Sequence, residues 1–137
     1  MLLAVLLVLA DASPEPTASP ACAGADPAIT SISSELIKRR SAPDHYVITT
    51  TLTNVAAQNQ TPDITQHVEL VRDGSALAPQ TVPALGAGVA YTLAFAVYRP
   101  SAERSKPLTV TVRYVLDSGD AVRNACNRAN DELTKTF

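Results

Sequence analysis

Between Ile29 and Leu116 the apolar positions recur at every second residue, the period of a half-buried strand rather than of a helix. Thr, Val, Ile and Tyr dominate these segments, and the spacing predicts seven strands. The first, Ile29 to Ile37, is of mixed polarity. In the second, His45 to Val55, Tyr46, Ile48 and Leu52 fall on one face; His45, Thr49, Thr51 and Thr53 fall on the other. Gln66 to Val71 forms a third, ending at the turn pair Asp73-Gly74. Leu77 to Val82 is a short fourth, which Pro79 and Pro83 confine to an edge. In the fifth, Val89 to Tyr98, the pattern points Tyr91, Leu93, Phe95 and Val97 inward and Ala90, Ala94 and Ala96 outward. The sixth, Leu108 to Leu116, alternates most regularly: Leu108, Val110, Val112, Tyr114 and Leu116 against Thr109, Thr111 and Arg113. The turn Asp117-Ser118-Gly119-Asp120 leads into a seventh, Ala121 to Ala125. Asn127 to Phe137 is polar, a helical turn or a fraying tail.

Seven short strands separated by turn signals predict an all-β, two-sheet antiparallel sandwich, each sheet burying one face and wetting the other. No helical segments separate the strands, as a parallel α/β fold requires. A β-barrel of similar size is the rival architecture, and the proline-limited fourth segment favours an open sandwich. Val82-Pro83 forces extended backbone and removes a donor, so that strand cannot recruit a neighbour there. Gly86 and Gly88 allow the chain to reverse between the sheets.

The front of the chain obeys a different pattern. Met1 to Ala10 are ten consecutive apolar residues, too few for a bilayer span of ~20. They match the apolar middle of a secretory signal, and Ala10-Asp11-Ala12 supplies the small residues of a cleavage site. No Lys or Arg precedes the run, which reads as a truncated or misassigned start. Pro14, Pro16 and Pro20 then stiffen a linker. The expected organisation is a signal peptide over 1–12, a Pro/Ala/Ser-rich linker over 13–25, one sandwich over 26–130 and a tail over 131–137. Cys22 follows Ser19-Pro20-Ala21 and lies well beyond the apolar run, so it does not read as a lipidation site. The mature chain is expected to be secreted or periplasmic, without a membrane span. Cys22 and Cys126, the two cysteines, flank the first and last predicted strands and suit a single disulfide joining the two ends of the domain. Two free thiols or an intermolecular bridge are the alternatives.

Composition narrows the function. The chain has 137 residues, 46% hydrophobic and 18% charged, with a net charge of −2. That is too apolar for disorder and lacks the basic surplus of a nucleic-acid binder. A catalytic reading needs a nucleophile with a base, paired carboxylates or metal ligands. Asp44-His45 is the best local pair, and His67 follows Asp63 by four residues, but neither has a distinctive Ser or Cys context. Gly-x-Ser-x-Gly, His-Glu-x-x-His and phosphate-binding Gly-rich patterns are absent from the sequence. Lys38, Arg39 and Arg40 form a small basic cluster, read as a solvated face or an anion contact. Asp117 and Asp120 fit a turn more readily than a calcium site. Asn59-Gln60-Thr61 has the glycosylation pattern and reads as an exposed loop. His45 and His67 share no metal-ligand spacing with the cysteines. The expectation is a chain with no catalytic residue, no cofactor and no metal. Aromatics are 4% with no Trp. Tyr46, Tyr91, Phe95 and Tyr114 are spent in the predicted core, leaving Tyr98 and Phe137 for a ligand.

The segment from Val71 to Phe95 resembles the centre of CARDB-type domains, the bacterial cell-adhesion-related immunoglobulin-like modules. Asp73-Gly74, Gln80-Thr81-Val82-Pro83, Leu85 and Gly86-Ala87-Gly88 carry the likeness. Leu52-Thr53-Asn54 is similar to that family's strand ending in Asn, with Val55-Ala56 where a Gly usually follows. Arg123 to Asn130 is similar to its Asn-rich ending, with Arg128 in place of an acidic residue. The resemblance runs from Asp26 to about Asn130. It implies an immunoglobulin- or fibronectin type III-like sandwich acting as a non-enzymatic adhesion or interaction module. Its partner would be a protein or cell-envelope component, met through a sheet edge or the loops at one end, by a monomer or weak dimer. The alternative is a carbohydrate-binding or accessory domain acting in trans with an exported hydrolase.

Overall fold

Strictly alternating side chains give each long strand one apolar face, and two such faces pressed together remove both from water. The computed structural model describes residues 22–37 and 43–137 and has this architecture. The leader, the linker up to residue 21 and the Lys38-Arg39-Arg40 cluster lie outside the described residues. The strands are β1 (Pro27–Ile37), β2 (Asp44–Asn54), β3 (Thr65–Arg72), β4 (Ser75–Ala76), β5 (Gln80–Thr81), β6 (Ala90–Arg99), β7 (Thr109–Ser118) and β8 (Glu132–Thr136). One sheet has the order β1-β2-β6; the other runs β4-β3-β7-β8, with β5 also on β3. All pairings are antiparallel. The chain is thus the all-β sandwich that the alternation predicts.

The core lies between the sheets. Ile48, Leu52, Leu93 and Phe95 of the first sheet meet Val68, Leu70, Val110, Val112 and Tyr114 of the second. Each fully buried aliphatic side chain contributes about 1.5–3 kcal/mol. The two outer faces differ. The first sheet presents short neutral side chains, with Ser33, Thr49 and Ala94 in one cross-strand row and Ser31, Thr51 and Thr92 in the next. A bulge at Thr30 lets its hydroxyl donate to Thr51 O (3.2 Å) and share a bond with Thr53 Oγ1 (3.1 Å). The second sheet's outer face is charged, as described below.

Side chains of one sheet seal the edges of the other. Gln80 Nε2 donates to Ala94 O (2.7 Å) and Arg72 Nη1 to Tyr98 O (2.9 Å), capping β6. On the opposite edge, Lys135 Nζ donates to Ile32 O (3.0 Å) of β1. Carbonyls engaged in this way are closed to an incoming strand.

Several elements depart from the alternation. Ala121 to Ala125 is not a strand. Ala121–Asn124 is a single helical turn, α1, because Asp120 caps it, its carboxylate accepting from Val122 N and Arg123 N. The tail is not frayed. After a 3-10 turn at Arg128–Asn130, β8 pairs with β7 along its whole length. Its five residues are all exposed. Pairing rests instead on the shared hydroxyl bonds Thr109–Thr136 and Thr111–Thr134 (both 2.8 Å) and on Arg113–Glu132, so no apolar period betrays it. Of the expected fourth strand, Leu77 to Val82, only β5 (Gln80–Thr81) pairs with β3; a second short pairing, β4, lies just before it at Ser75–Ala76. Asp73 and Gly74 turn tightly between β3 and β4 with φ of 50° and 78°, the left-handed pair of a two-residue hairpin. Tyr91, near the start of β6, is 37% exposed rather than in the core. Residues 22–25 belong to the domain rather than to a linker. Cys22 is disulfide-bonded to Cys126, with Cα atoms 5.3 Å apart; Ala25 is fully buried and exchanges backbone bonds with Arg123 and Cys126. A Cβ on Gly24 would strike the carbonyls of Val122 and Arg123, so only glycine lets the two segments lie this close.

The end of the sandwich near α1 is pinned by buried amides. Gln60 and Gln66 bond reciprocally, each Nε2 donating to the other's Oε1 at 2.9 Å. Gln60 also donates to Asn124 O and accepts from Leu85 N (2.8 Å). Gln66 donates to Pro83 O (2.8 Å) and accepts from the Tyr114 hydroxyl (2.6 Å). The sequon segment is therefore only partly a surface loop, because Gln60 is buried at its centre. Asn54, fully buried, accepts from Asp26 N and Ala56 N and donates to Gln58 O and Leu85 O. Gln66→Ala should leave the Gln60 amide and the Tyr114 hydroxyl short of partners and cost about 3 kcal/mol or more. Urea denaturation checks this against Thr49→Ala on the outer face, expected within about 0.5 kcal/mol of the parent.

Candidate functional site

The sequence-selected acid–histidine pairs are separated by the fold. Asp44 and His45 are neighbours in β2 and so point to opposite faces. Asp44 is buried and chelated by Arg104, Nε to Oδ2 at 2.8 Å and Nη2 to Oδ1 at 2.7 Å. That bidentate bond raises the Arg104 pKa further above its already high value. His45 stacks on Tyr98, ring centroids 4.6 Å apart and planes 17° from parallel. His67 pairs with Asp117 instead of Asp63, Nδ1 to Oδ2 at 2.7 Å, and its Nε2 lies 3.7 Å from Glu69 Oε2. Arg113 reaches Glu69 (3.2 Å) and Glu132 (3.1 Å), completing a charged row across the outer face of the second sheet. Asp63 stays in its turn, where bonds from Thr61 and its own backbone lower its pKa. Asp117 and Asp120 are used separately, one on His67 and one as the α1 cap. Asn59 Oδ1 accepts from Ala87 N (2.8 Å). Tyr98 (56%) and Phe137 (39%) are exposed, as the pattern predicts.

Two groups of charge lie at opposite ends of the sandwich. The first surrounds the disulfide. Asp26, at the entry to β1, is fully buried and accepts from Asn130 Nδ2 with both oxygens, at 3.0 and 3.1 Å. Burial raises its pKa, against the opposing bonds from Asn130 and Asn127. Burial also pushes the Asp131 carboxyl up to about 6; Arg128 opposes this and the Asp26 charge adds to it.

The second group stands where β1, β3 and β6 end and β2, β4 and β7 begin. Here a cleft of about 210 Å³ is lined by Arg72, Asp73, Arg99, Glu103, Lys106 and Leu108 among others. Arg72 ends β3 and Asp73 follows it in the β3–β4 turn; Arg99 ends β6 at an inward position, continuing Leu93, Phe95 and Val97; Glu103, Lys106 and Leu108 come from the β6–β7 connection, which opens on the 3-10 turn Ser101–Glu103. Arg99 is only 6% exposed. Its Nη2 donates to the Tyr46 hydroxyl (3.2 Å) and Lys106 O (3.0 Å), and its guanidinium carbon lies 5.0 Å from the Tyr46 ring centre. Its Nε–H has no partner among the described residues. Arg72 is engaged by Asp73 (3.4 Å) and Glu103 (4.0 Å). Among the described residues three basic and two acidic side chains thus line the cleft, an excess of one positive charge. Sequence reasoning passed over this cleft, although an arginine at an inward position of a strand was a readable signal.

The acidic end yields a pH prediction. An unfolded Asp131 titrates near 3.8 and the folded one near 6. Between those values the native state keeps a proton that the unfolded chain has lost, so this carboxyl's contribution to stability falls as pH rises. Asp131→Asn should match the parent near pH 4 and exceed it by about 1–2 kcal/mol at pH 7, as read by denaturant melts at both pH values. A variant less stable than the parent at pH 7 refutes the assignment.

Comparison with family models, curated proteins and solved structures finds no match to this chain.

Proposed function

We propose that the chain is an exported, non-enzymatic interaction module of immunoglobulin-like, CARDB-related type. It binds a protein or cell-envelope component through the loop end that holds Arg72, Arg99 and Lys106. The cleft at that end carries the reading: a polar recess of about 210 Å³ presented by strand ends and short connections on a rigid scaffold. The sealed edges support the loop end over strand addition, because Gln80, Arg72 and Lys135 occupy edge carbonyls of both outer strands of the first sheet. The Cys22–Cys126 bridge agrees with an oxidising, extracytoplasmic setting. Among the described residues no helix is long and apolar enough to cross a membrane.

One observation favours the carbohydrate-binding alternative. Tyr98 is an exposed ring held in place by stacking on His45, and such a ring can carry a sugar face. The full chain, immobilised and incubated with a solubilised cell-envelope fraction, separates the two readings. Under the proposal, Arg72→Glu with Lys106→Glu lowers retention at least tenfold, and Tyr98→Ala leaves it unchanged. The reverse pattern, with retention competed by neutral oligosaccharides, establishes the alternative and overturns the proposal.

A further inference from the structure

We infer that the cleft between the end of β3 and the β6–β7 connection is an anion site. It takes a single carboxylate or phosphate group carried by an envelope polymer, and so deepens the proposal above, on which the choice of polymer rests. The starting point is Arg99. Arg99 as a residue is only 6% exposed, and a buried guanidinium is expensive unless a counter-charge or a full set of acceptors offsets it. Among the described residues the partners of Arg99 are neutral: the Tyr46 hydroxyl and ring and the carbonyl of Lys106. Among them its Nε–H finds no acceptor. Asp44, its cross-strand neighbour on the same face, is clamped by Arg104.

The other cleft residues extend this incomplete cation. Asp73 and Glu103 turn toward Arg72, so the acidic side chains of the lining are engaged by the lining's own arginine. Lys106 adds an exposed ammonium, and its carbonyl holds Arg99 in place. An anion entering the cleft would accept from the Arg99 fork and pair with Lys106 in charge-assisted bonds. The volume, about 210 Å³, fits an acidic group on a small polar body such as one uronate unit or one phosphodiester. It does not fit a folded partner's surface.

The test titrates isotope-labelled full chain at low ionic strength and follows the Arg99 Nε–H resonance. Glucuronate represents the carboxylate source, glycerol phosphate the phosphate source, and chloride at equal ionic strength is the control. The expected result is a saturable shift with glucuronate or glycerol phosphate, and the tighter ligand identifies the source. Arg72→Ala and Lys106→Ala, both on the rim, should each weaken binding at least fivefold, whereas Arg113→Ala on the outer face of the second sheet should not. A shift no larger than that from chloride, or one indifferent to Arg72→Ala and Lys106→Ala, overturns the site. Tighter binding of tetraglutamate than of either ligand overturns the envelope-polymer assignment in favour of an acidic peptide. Envelope retention that survives where small anions fail to bind would remove this site and leave the interaction module standing.

Discussion

At the Gln60–Gln66 amide pair the β2–β3 loop, the second sheet, the β5–β6 connection and α1 are tied to one another. Gln66 projects inward from β3, where the alternation of that strand demands a buried side chain. A buried amide costs several kcal/mol unless its donors and acceptor are matched. Gln60 matches it, and what remains of the two amides is taken by Leu85, Pro83, Tyr114 and Asn124. These partners come from three segments, the β5–β6 connection, β7 and α1. Once the pair forms, the loop before β3, the crossover to β6 and the turn after β7 have little freedom left. The disulfide and Asn54 then close the same end around Ala25 and Asp26. This rigid end leaves the opposite, basic end as the place where recognition by short connections is compatible with a fixed frame.

How much of this was legible in the sequence depends on whether burial or local bonding formed each element. β2, β6 and β7 are written in period two, because each hides one face in the core. β8 buries nothing and is held by a threonine ladder against β7, so its polar sequence looked like a tail. The turn α1 has the apolar content of a short strand, and only the cap at Asp120 distinguishes it. The Cys22–Cys126 bridge followed from counting and placement. The amide pair did not, since reciprocal side-chain bonds over six residues leave no periodic trace. At the candidate site the sequence offered Asp44, His45, Asp63 and His67, which looked chemical because they were adjacent. The fold sends them to different faces, and brings together Arg72, Arg99 and Lys106, which sequence distance had kept apart.

The two outer faces divide the surface into unlike regions. On the second sheet Arg113 stands between Glu132 and Glu69, and His67 between Glu69 and Asp117, so three carboxylates face one guanidinium and the row is acidic. On the first sheet short hydroxyl and methyl side chains fill the middle of the outer face, with His45 and Tyr98 stacked toward the cleft end. Among the described residues the cleft at that end sets three basic side chains against two acidic ones. Under the proposed anion site, an anionic polymer would be repelled by the acidic row and drawn toward the cleft by charge as well as shape.

The opposed placement of the disulfide and the cleft has a mechanical consequence. β1 and β2 are eleven residues each, so the two ends are roughly 35 Å apart along the strands. Traction between Cys22 and an occupant of the cleft would run parallel to the β1-β2-β6 ladders. The rungs then resist together, in shear, rather than opening one after another as in a peeled hairpin. The Cys22–Cys126 bond passes part of that load directly to the segment joining β7 and β8, so that both sheets share the strain.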